Sequence, residues 1–371
     1  MSLFSDVLNF KKKATSALGI DIGTSSIKVV QLQKKGNKAV LETYGELSLG
    51  PYGGVSVGQS TNLTADKIAQ AMNDLLSEKE VAITTKTCGM AIPFKASLLL
   101  TMEMPSGIGQ KEMAAMVPIE ARKYIPVPTS DVTIDWSIIP RSEAEEIAAR
   151  EKGERKAKTV NILLVAIHNN IINQYKEIVS KTGLDAKFFE IEIFSSMRAI
   201  LEGVQWPVMI FDMGASTTKL YTVDRGLIQF SHTINKGSQD ITANISRLLN
   251  ISVEDAEVIK RSIGMGKTAE GVDLSEAVTN VADSIFSEAN RFLFDFEKKK
   301  NQNMKSVFLT GGGSALHGFR DLAAENFKTE VISGDPFEKV ETPAFLQNVL
   351  KVTGPEFTVA VGAALRCLQE I

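Results

Sequence analysis

The chain has 371 residues, 44% of them hydrophobic, a formal net charge of −3 and two cysteines. That size suits about two domains with sizeable cores, and the charge balance argues against a nucleic-acid binder. Two cysteines far apart frame neither a disulfide scaffold nor a metal site, no apolar run approaches the roughly 18 residues that cross a bilayer, and residues 1–13 lack the features of a secretory leader, so a cytoplasmic chain is expected.

The elements follow in order. Residues 1–13 carry Leu3, Phe4, Val7 and Leu8 at helical spacing before Lys11-Lys12-Lys13. They suit either a short helix packed on its own domain or an amphipathic contact with an anionic membrane. Strands are expected at 18–22, 27–33 and 39–49, and a Gly-rich loop follows. A helix at about 64–80 places Ile68, Met72, Leu75 and Leu76 on one face. Strands at 87–92 and 97–104 precede a helix at 110–124, which must end at Ile125-Pro126-Val127-Pro128. A strand at 131–139 leads into residues 142–158, dense in charges of both signs and read as a solvated hairpin loop. A strand at 160–168 and a helix at 171–182 with Gly183 as its C-cap come next.

The second half opens with a strand at 208–212. A helix at 240–249 and another capped by Ser252 follow, then a long helix at 274–300 whose closing lysines suit the negative end of its dipole. A strand at 306–310 runs into Gly311-Gly312-Gly313-Ser314, with a helix expected to start within 314–319. The chain closes with an apolar helix at 357–369. Strands and helices alternate in both halves, which argues α/β.

One motif occurs twice. Ile20-Asp21-Ile22-Gly23-Thr24-Ser25-Ser26-Ile27-Lys28 is matched by Phe211-Asp212-Met213-Gly214-Ala215-Ser216-Thr217-Thr218-Lys219, and Asp, Gly, Ser and Lys recur at the same offset of 191 residues. Each copy reads as strand, tight turn, strand. Backbone N–H groups and hydroxyls at such a tip suit phosphate oxygens, and Asp21 and Asp212 suit a hydrated Mg²⁺. Two facing hairpins would hold a nucleotide polyphosphate between two related lobes.

Three weaker signals share the same logic. Gly311, Gly312 and Gly313 let backbone approach a flat ligand such as adenosine. Glu257 and Lys260 share a helix face at i and i+3; such a pair is by default an exposed ion pair, and its position between the second hairpin and the Gly triplet offers a ribose grip instead. Glu192, in Glu190-Ile191-Glu192, suits the orientation of a water at a γ-phosphate. A solvated or structural carboxylate explains that stretch equally well.

The order of hairpin, acidic connecting helix, hairpin, Gly-rich loop and small-residue terminal helix resembles the actin, hexokinase and heat-shock-chaperone ATPases. Within them, Glu120-Ala121-Arg122-Lys123-Tyr124-Ile125-Pro126 and Gly334-Asp335-Pro336-Phe337 resemble the PilM family of type IV pilus assembly, relatives of the division protein FtsA. The resemblance implies a two-lobed, actin-like, duplicated ribonuclease H-like fold with an FtsA-type 1C subdomain at about 86–157. Lobe I would take 1–206 and 356–371; lobe II would take 207–355, with a small subdomain at about 239–302. It also implies ATP and Mg²⁺ as cofactors; slow ATP hydrolysis at Asp21, Asp212 and Glu192 is left open, with no rate fixed by the sequence. The partner implied is the N-terminal cytoplasmic tail of a PilN-like membrane protein, which would hold the chain at the inner membrane. Pilus motor components and self-association are further partners on the same ground. Ala215 where a hydroxyl often stands, the single glycine at Gly237 and the charged 142–158 stretch depart from the family pattern. A small-molecule kinase and an FtsA-like filament protein are the alternatives, the second disfavoured because no basic amphipathic tail follows Arg366.

Overall fold

The computed structural model describes residues 15–139 and 159–371. The readings of 1–13 and 142–158 lie outside the described residues. Three sheets organise the described residues. In the first, β1 (Ser16–Ile22), β2 (Ser26–Lys35) and β3 (Lys38–Ser48) form an antiparallel meander, and β4 (Thr87–Ile92) and β8 (Asp185–Ile191) extend it in parallel beside β1. In the second, β9 (Val208–Met213), β10 (Thr218–Asp224) and β11 (Leu227–Ile234) form the same meander, and β12 (Ser306–Thr310) and β13 (Glu330–Ser333) extend it in the same sense. The duplication read from one short motif is thus a duplication of whole sheets.

The two repeated strands explain their own composition. Every residue of Val208–Met213 is buried, so the strand reads as a continuous apolar run rather than an alternation. Helix Thr358–Glu370 is apolar nearly all round because it is wedged between the sheets. Its small residues permit that wedge. A Cβ on Gly19 of β1 would stand 1.8 Å from the Ala360 carbonyl oxygen, and one on Gly362 would stand 1.9 Å from the Ser195 carbonyl oxygen. The second contact is where this helix crosses helix Glu192–Ile200.

The third sheet, β5 (Ser97–Pro105), β7 (Thr159–His168) and β6 (Val132–Ile139), is antiparallel throughout, with β7 central. Met102, Met104, Ile162 and Leu164 pack against Met113, Val117 and Ala121 of helix Gln110–Ala121 in a core of their own. The described residues of this unit lie within 97–139 and 159–168 rather than over the expected 86–157. Its expected first strand, β4, instead pairs with β1 in the large sheet and buries Cys88, Met90 and Ile92 there.

Two further boundaries differ from expectation. Strand β14 (Val340–Glu341), within 207–355, pairs with β3 of the first sheet. Helices Ser238–Leu249, Val253–Ile263 and Ser275–Lys300 share one core with the second sheet, where Ile241, Ala256 and Phe286 meet Phe211 and Phe319. They form no separate small core. A 3₁₀ turn, Gly312–Ala315, takes in the last two glycines of the triplet, and the helix expected to start within 314–319 begins at Phe319.

Candidate functional site

The carboxyl ends of the two parallel arms face each other across a cleft of about 390 Å³. Every candidate residue lines it: Asp21, Gly23, Thr24, Ser25, Ser26 and Lys28 from the first hairpin; Asp212, Gly214, Ala215, Ser216 and Thr217 from the second; and Glu192, Glu257, Lys260, Gly311, Gly312 and Gly313.

The hairpins are built alike. Asp21 pairs with Lys28 across β1 and β2, and Asp212 pairs with Lys219 across β9 and β10. The Gly23 N–H donates to the Ser26 carbonyl at 3.0 Å, and the Gly214 N–H donates to the Thr217 carbonyl at 2.9 Å. Their tips meet, with a hydrogen bond of 3.2 Å between the hydroxyls of Thr24 and Ser216. The second tip is braced further, because the Ser238 and Gln239 N–H groups donate to the Gly214 and Ala215 carbonyls, each at 2.9 Å. Gly237 makes that fit possible, since a Cβ there would lie 2.4 Å from the Ala215 carbonyl oxygen.

The charges are arranged unequally. Lys28 sits on β2 directly between Asp21 on β1 and Glu46 on β3. It turns to Glu46 at 3.1 Å and donates to Ser26 Oγ at 2.7 Å. Burial pushes Glu46 up, but Lys28, Ser26 and Arg261 outweigh it and hold the carboxyl at about 2. Asp21 has no hydrogen bond or ion pair to a described residue. Burial, opposed by Lys28 and reinforced by Glu192, pushes its carboxyl up to about 6. Lys219 binds Glu192 at 2.6 Å and lies 3.5 Å from Asp212.

Glu190 and Glu192 separate cleanly. Glu190 points away from the cleft into a clamp of Arg198, Arg366 and Ser195. Glu192 lines the cleft and accepts the Phe94 N–H at 2.6 Å. At the far end, Glu257 and Lys260 are 3% and 6% exposed and 2.6 Å apart, so they are not a solvated surface pair. Thr242 and Arg261 also bind Glu257. Gly311 has φ +81°, and a Cβ there would lie 2.4 Å from Asp212 Oδ1; one on Gly313 would lie 2.5 Å from Met213 Cγ. The triplet can therefore pack closely on the end of β9 only because it lacks side chains.

Glu46, Lys219, Arg261 and Glu356 also line the cleft but were not site candidates from sequence. Lys219 is visible in the repeat. Glu46 is identifiable only once the β2–β3 register places it opposite Lys28. Nothing local marks Arg261 or Glu356.

The donor set fits a nucleotide with a divalent cation. The unpartnered Asp21 carboxylate suits a hydrated cation, the hairpin tips and Lys28 suit phosphate oxygens, and the Gly cradle with Glu257 and Lys260 suits a nucleoside.

The family model described as "Type IV pilus assembly protein PilM" matches residues 19–368. The chain belongs to this family. The FtsA cell division proteins of Neisseria meningitidis and Streptococcus pneumoniae are 25% and 24% identical to it; each match covers 88% of this chain, and 86% and 77% of the respective relative. A solved "PilM-PilN type IV pilus biogenesis complex" contains a chain that superposes with a TM-score of 0.76 at 24% identity, covering 95% of this chain and 98% of that one. The family's actin-like, two-lobed α/β fold, expected from the sequence, is the fold observed. Among the described residues no helix is long and apolar enough to cross a membrane.

Proposed function

We propose that this chain is a nucleotide-binding platform for type IV pilus assembly. ATP with Mg²⁺ lies in the cleft, and the small-sheet unit docks the cytoplasmic N-terminal tail of a PilN-like inner-membrane protein. That contact holds the chain in the cytoplasm at the membrane face. The observation that carries the nucleotide half is the pair of like-built hairpins meeting at Thr24 and Ser216 over one cleft. Asp21 and Asp212 hold the hydrated cation, which neutralises charge on the β- and γ-phosphates. The two tips take the phosphates, Glu257 and Lys260 the ribose, and Gly311–Gly313 the adenosine face.

The docking half is supported by family membership and by sheet order. Both β5 and β6 are outer strands of the small sheet, and an extended peptide can add to such an edge. The ligand touches both sheets, and helix Thr358–Glu370 is packed between them. A bound nucleotide therefore favours one angle between the lobes over others.

A capture experiment tests the reading. An immobilised tail peptide should retain the wild-type chain, and Glu103→Lys with Asp135→Lys, both on exposed positions of the small sheet, should weaken retention at least tenfold. Undiminished capture by the double variant would move the docking site elsewhere.

A further inference from the structure

The two lysines of the repeated motif do different things, and the sheets show why. Lys28 has Glu46 opposite it on the third strand of its meander, whereas Lys219 has Thr233 at the equivalent place. With no carboxylate on that side, Lys219 reaches the other way. Its Nζ lies 2.6 Å from Glu192 Oε2 and 3.5 Å from Asp212 Oδ2. The Phe94 N–H takes the remaining Glu192 oxygen at 2.6 Å. Each oxygen of Glu192, the carboxylate read as suited to orient a water, therefore already accepts a donor, and an ammonium stands between it and Asp212.

Resting on the nucleotide reading above, we infer that Lys219 is a positioning residue that restrains turnover: it keeps Glu192 from serving as a general base and competes with the divalent cation for Asp212. Hydrolysis of ATP forms a bond from a water oxygen to the γ-phosphorus and breaks the bond from that phosphorus to the β–γ bridging oxygen. ADP leaves, and the water's proton passes through a free carboxylate to solvent. With its oxygens turned to Lys219 and the Phe94 N–H, Glu192 is held away from an attacking water, so the cleft holds its nucleotide rather than consuming it. The difference between the lobes then has a purpose: the first lysine is held by Glu46 beside the phosphate site, and the second is turned on Glu192.

The full chain tests this with two readouts, fluorescent ATP binding across a Mg²⁺ titration and single-turnover hydrolysis. Lys219→Met should lower the Mg²⁺ concentration for half-maximal binding about tenfold. It should raise turnover at least tenfold, within the range a general base supplies, and Glu192→Gln in that background should abolish the gain. Thr233→Glu supplies the missing counter-charge without removing the lysine, and should shift both readouts in the same direction. Nucleotide bound by all variants with unchanged Mg²⁺ dependence and unchanged turnover overturns the role of Lys219 alone, as does a loss of binding confined to Lys219→Met. Failure of the wild type to bind ATP at any Mg²⁺ concentration overturns the nucleotide reading, and this role with it.

Discussion

Glu190→Ala should destabilise the whole chain, because Glu190 joins the two helices that cross between the lobes. Its carboxylate is 5% exposed and accepts four hydrogen bonds: from Arg198 at 2.6 and 3.0 Å, from Arg366 at 2.7 Å and from Ser195 Oγ at 2.6 Å. Removing one member of a buried ion cluster costs roughly 3–5 kcal/mol, because the partners are left uncompensated. Here the arginine side chains are 26% and 33% exposed and can turn partly to water, so the expected loss is about 2–4 kcal/mol. Both keep other contacts: Arg366 is stacked 3.8 Å over the Phe188 ring and bonded to Glu370, and Arg198 also donates to the Gly362 carbonyl at 3.0 Å. Urea unfolding followed by circular dichroism measures the loss, and Arg198→Met with Arg366→Met in the same background tests its cause. Once Glu190 is gone, those changes should cost little more. A loss below about 1 kcal/mol for Glu190→Ala would refute the argument that this cluster ties the crossing helices.

Three other outcomes follow from the site. Burial raises the Asp21 carboxyl from 3.8 to about 6, so the ligand-free fold loses stability as pH rises from about 4 through 6. Asp21→Asn should then match the wild type near pH 4 and exceed it above pH 6, and a stability difference independent of pH would contradict this. Divalent-cation affinity at Asp21 should move oppositely, weakening as pH falls below about 6; titrations at pH 5 and 7.5 measure it. Gly311→Ala combines a left-handed backbone at φ +81° with a Cβ 2.4 Å from Asp212. It should cost at least tenfold in ATP affinity with the circular dichroism spectrum unchanged, and wild-type affinity would show that the cradle does not approach the ligand.

Much of this was legible in the sequence because it rests on local pattern. The 191-residue offset predicts two alike hairpins, and the apolar run at 357–369 predicts the closing helix. What was not legible depends on register or long-range packing. Strand β11 has a mixed pattern and is held by the turn at Arg225-Gly226, both with positive φ. Strand β13 has only four residues, and nothing local marks it. Residues 87–92 read correctly as a strand, but which sheet they join is decided by pairing with β1. The burial of Glu257 and Lys260 likewise comes from Thr242 on a neighbouring helix. In the same way, the unequal fates of Lys28 and Lys219 are set by Glu46 and Thr233, residues well outside the repeated motif.

The central claim is that the two hairpins form one phosphate site. Calorimetric titration of the purified chain with ATP and Mg²⁺, beside Asp212→Ala, tests it most directly. The account predicts one site per chain in the wild type and loss of binding in the variant. Equal affinity in both, or no binding in the wild type, would contradict it.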